Sequence, residues 1–184
     1  MNITSSSKFP KAKSSSFTLV ELLVVISIIG LLAGLGLPAI NGAMKAGKKA
    51  EISAMAESIK TALNAFYAEY STYPTNSSGK VFTNTGTNFL EALSTTNTNW
   101  GNSRGIVFLE VPPKFTNSSG LVTPKGFFSG GKQTNFFVLF DTTNSGYVNP
   151  KSVSGTLTNT NVASSVAVWV MENPTNKTAV GTFK

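Results

Sequence analysis

An uncharged apolar run near the N-terminus constrains this chain more than any other feature. From Leu22 to Met44 no residue carries a charge. As a helix these 23 residues would be about 34 Å long, enough to cross a hydrocarbon core of about 30 Å. The first 16 residues hold three lysines and no acid: Lys8, Lys11 and Lys13. This charge bias predicts one membrane-spanning helix with its N-terminus in the cytoplasm.

Glu21 stands immediately before the run. A charge at mid-bilayer costs roughly 2.5–3.5 kcal/mol on insertion scales, so a helix that serves only as a tether has no use for one. Near the helix start the cost falls, because the side chain reaches the interface and a negative charge suits the positive end of the helix dipole. Such an acid becomes useful if a neighbouring chain offers a positive charge, for instance a free α-amino group.

Two simpler interpretations of the run compete with this one. A cleaved secretory signal normally has a shorter apolar stretch followed by a small-residue cleavage site, and here the amphipathic pattern continues the run without a break. A simple signal anchor explains the length of the run but leaves Glu21 without a role.

Residue types that the chain lacks bear on its function. There is no cysteine and no histidine, and Asp141 is the only aspartate. The commonest general base and the usual thiolate and imidazole metal ligands are therefore missing, and we expect a protein that is not an enzyme. The net charge of +7 falls to +4 without the first 16 residues, which hold three of the 15 basic residues and no acid. That charge is too mild and too scattered to predict nucleic-acid binding.

The segment SFTLVELLVVISIIGLLAGLGLP, from Ser16 to Pro38, resembles the N-terminal signature of type IV pilins and type II secretion pseudopilins. The resemblance implies cleavage by a prepilin peptidase between Ser16 and Phe17, with N-methylation of Phe17. The family places glycine before the cut, and because serine is also small we expect cleavage here. Glu21 then matches the acid that pairs with the amine of an adjacent subunit and sets the register between subunits.

Pro38 matches the proline that kinks the helix in this family. Members commonly melt part of this helix during assembly, and Gly30, Gly34, Gly36 and Pro38 give the stretch the low helix propensity that melting needs. Close packing between membrane helices is the alternative interpretation of the glycines.

The resemblance also implies partners and a location. The partners would be copies of this chain and other pseudopilins, the prepilin peptidase, and an inner-membrane platform with its ATPase. The chain would sit in a bacterial inner membrane with a cytoplasmic N-terminus and a periplasmic head, and its filament would lie in the periplasm or at the cell surface.

Beyond Pro38 the pattern is that of an amphipathic helix. Apolar residues recur every three or four positions and predict one face packed on the chain's own sheet: Ile52, Met55, Ile59, Leu63, Phe66 and Tyr70. Tyr73-Pro74 should end the helix, since proline cannot continue it. We therefore predict a leader (1–16), a transmembrane and assembly half of the helix (17–44), an amphipathic half (45–73) and a globular head (74–184).

The head should contain a small antiparallel sheet. Three runs rich in Val, Phe or Trp predict strands at Gly105–Val111, Thr134–Asp141 and Ser165–Met171, and Asn88–Leu93 predicts a short helix. A sheet packed against one long helix is an α+β fold. It is also the fold that the resemblance to pilins implies, and the tyrosine-proline at the helix end is closest in pattern to major pseudopilins.

One loop near the C-terminus resembles a degenerate calcium site. Major pseudopilins often bind calcium near the C-terminus, and in FDTTNSGYVNP the residues Asp141, Thr143, Ser145 and Gly146 have the spacing of a calcium loop. Two ligand positions hold hydroxyls and only one carboxylate remains, which makes a poor site. We expect a turn that connects strands, with no cofactor.

The leading hypothesis is therefore a structural subunit of a type II secretion or type IV pilus-like filament. A minor pilin whose head binds DNA, a surface or secreted cargo is one alternative. A signal-anchored periplasmic protein that is never processed is the other.

Overall fold

The computed structural model describes residues 17–128, 131–151, 157, 161–173 and 178–183, and at 36–38 and 173 it describes the backbone alone. The leader, including Ser16, lies outside the described residues. The chain divides into two compact units, Met1–Ala43 and Met44–Lys184.

The helix α1, Leu19–Tyr70, contributes to both units. Its N-terminal part is apolar on all sides, and none of its most hydrophobic stretch is buried within the chain. It is the one helix in the described part of the chain that is long and apolar enough to cross a membrane.

In the second unit α1 buries the predicted face. Ile52, Ile59 and Leu63 have no exposed surface, and Tyr70 packs partly buried at the edge of the same core. The helix ends at Tyr70, three residues before the predicted end, because Ser71 adopts a left-handed φ of 53°. A left-handed residue directly after the last turn is a common way to end a helix.

An antiparallel sheet of three strands packs on α1. Its strands are β3 (Phe137–Phe140), β4 (Val166–Asn173) and β5 (Thr178–Gly181), in the order β3-β4-β5. β4 has two faces, as its alternation predicts. Val166, Val168 and Val170 join the core beneath α1, whereas Ala167, Trp169 and Met171 lie in a second apolar cluster on the opposite face.

Smaller elements cover the rest of the core. The helix α2, Thr87–Ser94, confirms the predicted short helix. A 3₁₀ turn at Pro113–Phe115 leads into a hairpin of β1 (Thr116–Asn117) and β2 (Gly120–Leu121). The α+β class, one long helix on small antiparallel sheets, is therefore confirmed.

The first predicted strand, Gly105–Val111, is wrong, because these residues belong to no strand. Their backbone groups bond elsewhere. The buried Asn102 side chain pairs with both the N–H and the C=O of Ile106, and the amides of Phe108 and Leu109 both donate to the carbonyl oxygen of Leu93 at the end of α2. This segment has the composition of a strand, but its backbone groups form hydrogen bonds with the Asn102 side chain and with the end of α2 in place of a neighbouring strand.

Candidate functional site

The N-terminal end of α1 carries the predicted assembly residues. Phe17 is 72% exposed. Its nitrogen lies in a peptide bond with Ser16 in the uncleaved chain, so it becomes an amine only after cleavage there. Glu21 lies in the first turn of α1, as the sequence predicts.

Glu21 has a partner within its own chain. Its Oε2 accepts hydrogen bonds from the backbone N–H of Thr18 (2.8 Å) and from the Thr18 hydroxyl (2.7 Å). The Glu21 amide in turn donates to Thr18 Oγ1 (3.3 Å). This reciprocal pattern is a capping box, which satisfies amides that the first helical turn leaves free.

The capping box corrects the expectation that a helix that serves only as a tether has no use for an acid at position 21. A tethering helix does have one use for an acid at this position, because Glu21 closes the helix start. The signal was visible in the sequence as Thr18-x-x-Glu21 directly before an apolar run. Glu21 therefore combines a local role with the negative charge that it would present to another chain.

The apolar surface of α1 has no cover within its own unit. Large side chains along it are between about one half and four fifths exposed, and they include Leu19, Leu22, Val24, Ile28, Leu32 and Leu35. Such a continuous surface is not stable in water and requires lipid or other protein around it.

Gly30 and Gly34 make no close contact within the described part of the chain. A Cβ atom built at Gly30 or Gly34 would meet nothing within 4 Å. The two residues are four apart and lie on one side of the helix, in the spacing that lets membrane helices approach closely.

Pro38 lies within α1, whose backbone is helical from Gly34 to Ala43. A proline here removes one backbone hydrogen-bond donor and weakens the helix locally. The kink at Pro38 stays a prediction.

The candidate calcium loop is held together by its own aspartate. Asp141 Oδ1 accepts hydrogen bonds from the amide and hydroxyl of both Thr143 and Ser145 at 3.0–3.2 Å, and its Oδ2 accepts from the Gly146 amide at 2.7 Å. The Thr143 hydroxyl donates to the carboxylate, and the Ser145 hydroxyl lies 3.1 Å from both the carboxylate and the carbonyl oxygen of Tyr147. The residues do come together, but as donors that close a turn.

The charge of Asp141 is stabilised by the same contacts. Burial disfavours the ionised form, yet the hydrogen bonds from Ser145, Gly146 and Thr143 outweigh it and lower the pKa of Asp141 to about 2. Across the described ranges, no group of three or more acidic, histidine or cysteine residues is placed to hold a metal ion.

Comparison with known proteins gives a family motif at the N-terminus and several curated relatives that match over part of the chain. Residues 11–37 match the family described as "Prokaryotic N-terminal methylation motif", which covers the Ser16–Phe17 bond and Glu21. A fimbrial protein of Neisseria meningitidis serogroup A is 37% identical over 60 residues, which are 33% of this chain and 35% of that protein. A type IV major pilin protein PilE1 of Neisseria gonorrhoeae is also 37% identical over 60 residues, 36% of its length.

The aligned region thus spans about a third of each of these curated relatives. No solved structure gives a significant match. The motif and the relatives support the type IV pilin family, and the motif lies on the segment that carries the capping box and much of the exposed apolar helix.

Proposed function

We propose that this chain, whose N-terminal segment identifies it with the type IV pilin family, is a structural subunit of a pilus or pseudopilus filament. A prepilin peptidase cuts after Ser16, Phe17 becomes the methylated N-terminal residue, and α1 anchors the subunit in the membrane before assembly. A platform with its ATPase then moves subunits into the filament.

The observation that carries the proposal is the apolar part of α1, which nothing in its own unit covers, with one acid at its start. In the bilayer lipid covers this surface. In a filament the same surface of other subunits covers it, so lipid contacts are exchanged for protein contacts. The exchange supplies little hydrophobic free energy, and close packing at Gly30 and Gly34 together with polar pairing supplies the specificity.

Glu21 gives the register of that packing. Cleavage creates a positive charge at the nitrogen of Phe17, and an amine from a neighbouring subunit is a stronger partner for the Glu21 carboxylate than the neutral Thr18 groups. The capping box keeps the carboxylate close to the helix axis in the single chain. On assembly Glu21 pairs with the neighbour's amine. A helix that is out of register leaves both charges unpaired in an apolar environment, and burying an unpaired charge is strongly unfavourable in free energy.

The head contributes the exterior of the filament. The carboxylate and hydroxyls of the Asp141 loop close a turn, and we assign the head no catalytic role. A filament of this kind serves secretion, adhesion, motility or DNA uptake, according to the machine that builds it.

Intact-mass and N-terminal peptide analysis of chain from sheared filaments and from membranes tests the proposal. We expect filament chains to begin at a methylated Phe17, with Met1 chains confined to the membrane fraction. If Met1 is the N-terminus in every fraction and no filament can be sheared from cells, the chain is an unprocessed signal anchor and the proposal is wrong.

A further inference from the structure

Lysines collect where α1 leaves its apolar segment. Lys45, Lys48 and Lys49 follow Met44 within five residues. Each makes a contact with the head: Lys45 Nζ and Lys49 Nζ lie 3.7 and 2.8 Å from the Glu172 carboxylate, and Lys48 Nζ donates to the carbonyl oxygen of Gly126 at 2.8 Å.

The contact of Lys48 fixes a basic loop beside the helix. The loop, residues 124–128, has the sequence PKGFF, with Lys125 exposed at its tip. Phe127 packs against the main core, and Gly126 has a φ of 79° that favours glycine. The loop is therefore attached at Gly126 and at Phe127, and Lys125 is held close to the first helical turn after the apolar run.

One turn further along α1, Glu51 pairs with Lys114. We call Lys45, Lys48, Lys49, Lys114 and Lys125 the basic collar. Its five lysines are opposed by Glu51 and Glu172, which leaves a net charge of +3. Lys45 keeps 73% of its side-chain surface exposed although it faces Glu172.

We propose that the basic collar docks the head onto the anionic headgroups of the membrane from which α1 emerges. This inference rests on the membrane anchoring in the proposed function and adds a second contact with the bilayer, made by the head itself. Anionic headgroups are the partner that charge complementarity favours for the basic collar. Their phosphate groups lie at the depth where an apolar helix ends, and lysine side chains extend to them.

Docking has a consequence for assembly. Each lysine near an anionic surface strengthens attachment by about fivefold, and the effect falls off within a Debye length of about 10 Å at moderate salt. A subunit drawn into a filament must therefore release the collar as well as the apolar helix. The lipid composition of the membrane thereby affects how easily subunits are extracted.

Lysine acetylation of the full chain, reconstituted at one copy per nanodisc, tests the docking. Discs of phosphatidylcholine alone are compared with discs that contain phosphatidylglycerol. We expect Lys45 and Lys125 to react about fivefold more slowly in the anionic discs, with the difference lost at high salt. Lys80 is the internal control, because it lies in the turn that follows the far end of α1, and its rate should stay the same.

Charge reversal provides a matched pair of variants. Lys125→Glu should remove the protection of Lys45, and Lys80→Glu should leave it intact. Equal Lys125 rates in both kinds of disc would overturn the docking while leaving the proposed function in place. Protection that appears only in discs with two copies would make a second chain the occupant and also overturn it. If the chain is not recovered with lipid at all, the membrane anchoring of the proposed function fails, and the docking with it.

Discussion

Asn102 is the polar residue on which the distal end of the head depends. Its side chain has no exposed surface. Its Nδ2 donates to the carbonyl oxygens of Ala92 (3.0 Å) and Ile106 (2.8 Å), and its Oδ1 accepts from the Ile106 amide (3.0 Å) and the Tyr70 hydroxyl (2.8 Å). One side chain thus joins the ends of α1 and α2 to the segment that sequence patterns misread as a strand.

Replacing Asn102 by alanine removes four hydrogen bonds of normal length. Each bond contributes about 1 kcal/mol, so the free energy of unfolding should fall by about 4 kcal/mol. The loss is slightly smaller if water bonds to the groups of Ile106 or Tyr70 that the mutation leaves unpaired. Tyr70→Phe removes only the hydroxyl from this network and should cost about 1 kcal/mol. Asn88→Ala is the matched control. Asn88 is exposed and makes one long contact (3.5 Å) with Thr87, so its loss should fall within about 0.5 kcal/mol.

The isosteric variant Asn102→Asp separates hydrogen bonding from cavity formation. It keeps the shape and both acceptor contacts, but an ionised carboxylate would face two carbonyl oxygens without a proton to donate. The buried, unpaired charge raises the pKa of the new carboxyl in the folded state. The variant should therefore lose stability as pH rises above about 4, the ordinary pKa of an aspartate.

Urea unfolding of the detergent-solubilised chain, followed by tryptophan fluorescence, measures these changes. Trp100 lies beside the network and donates to Glu91 at 2.8 Å, which makes it a local reporter. If Asn102→Ala costs no more than Tyr70→Phe, the four bonds do not act together and the account of this region is wrong.

Three further predictions follow from other contacts. In the parent chain the stability contributed by the Asp141 charge is complete above about pH 4 and is lost as the pH falls towards 2. Asp141→Asn should abolish this pH dependence of the free energy of unfolding. Urea unfolding midpoints measured across this pH range test it. Gly34→Leu should leave membrane insertion intact but reduce filament yield severalfold in shear assays, because a Cβ at Gly34 meets nothing within 4 Å in the described part of the chain and the larger side chain would obstruct only an approaching helix. Gly120→Ala should destabilise the head by several kcal/mol on thermal unfolding, since its Cβ would lie 2.3 Å from the Gly86 carbonyl carbon.

Periodicity alone was enough to predict the parts of the fold that obey it. The α1 stripe and the two faces of β4 were found because each presents apolar residues at the spacing of its element. The strand β5 cannot be predicted in this way, because TAVG has too few residues to show alternation. It pairs closely with β4: a Cβ at Gly181 would lie 2.1 Å from the Val168 carbonyl oxygen.

Side-chain hydrogen bonds account for most of what the sequence did not reveal. Asn102 and Ser71 redirect the backbone through particular contacts and a particular φ, and no hydrophobic pattern encodes either. At the N-terminus the Thr18–Glu21 capping box has a sequence signature, Thr-x-x-Glu, but the apolar run that follows favours a partner for Glu21 in another chain. The loop at Asp141 followed the expectation of a turn, since a single carboxylate among hydroxyls and amides can close one.

Filament incorporation of Glu21→Gln tests the central claim most directly, that the charge of Glu21 joins one subunit to the next. Glutamine keeps the bond back to Thr18 and the capping box, but it removes the charge. Thr18→Ala is the matched control, because it removes the capping hydroxyl and keeps the charge. We expect Glu21→Gln to insert in the membrane normally and to be at least tenfold depleted from sheared filaments, while Thr18→Ala assembles at close to the parent level. Normal incorporation of Glu21→Gln, with loss of Thr18→Ala, would show that the acid serves only its own helix.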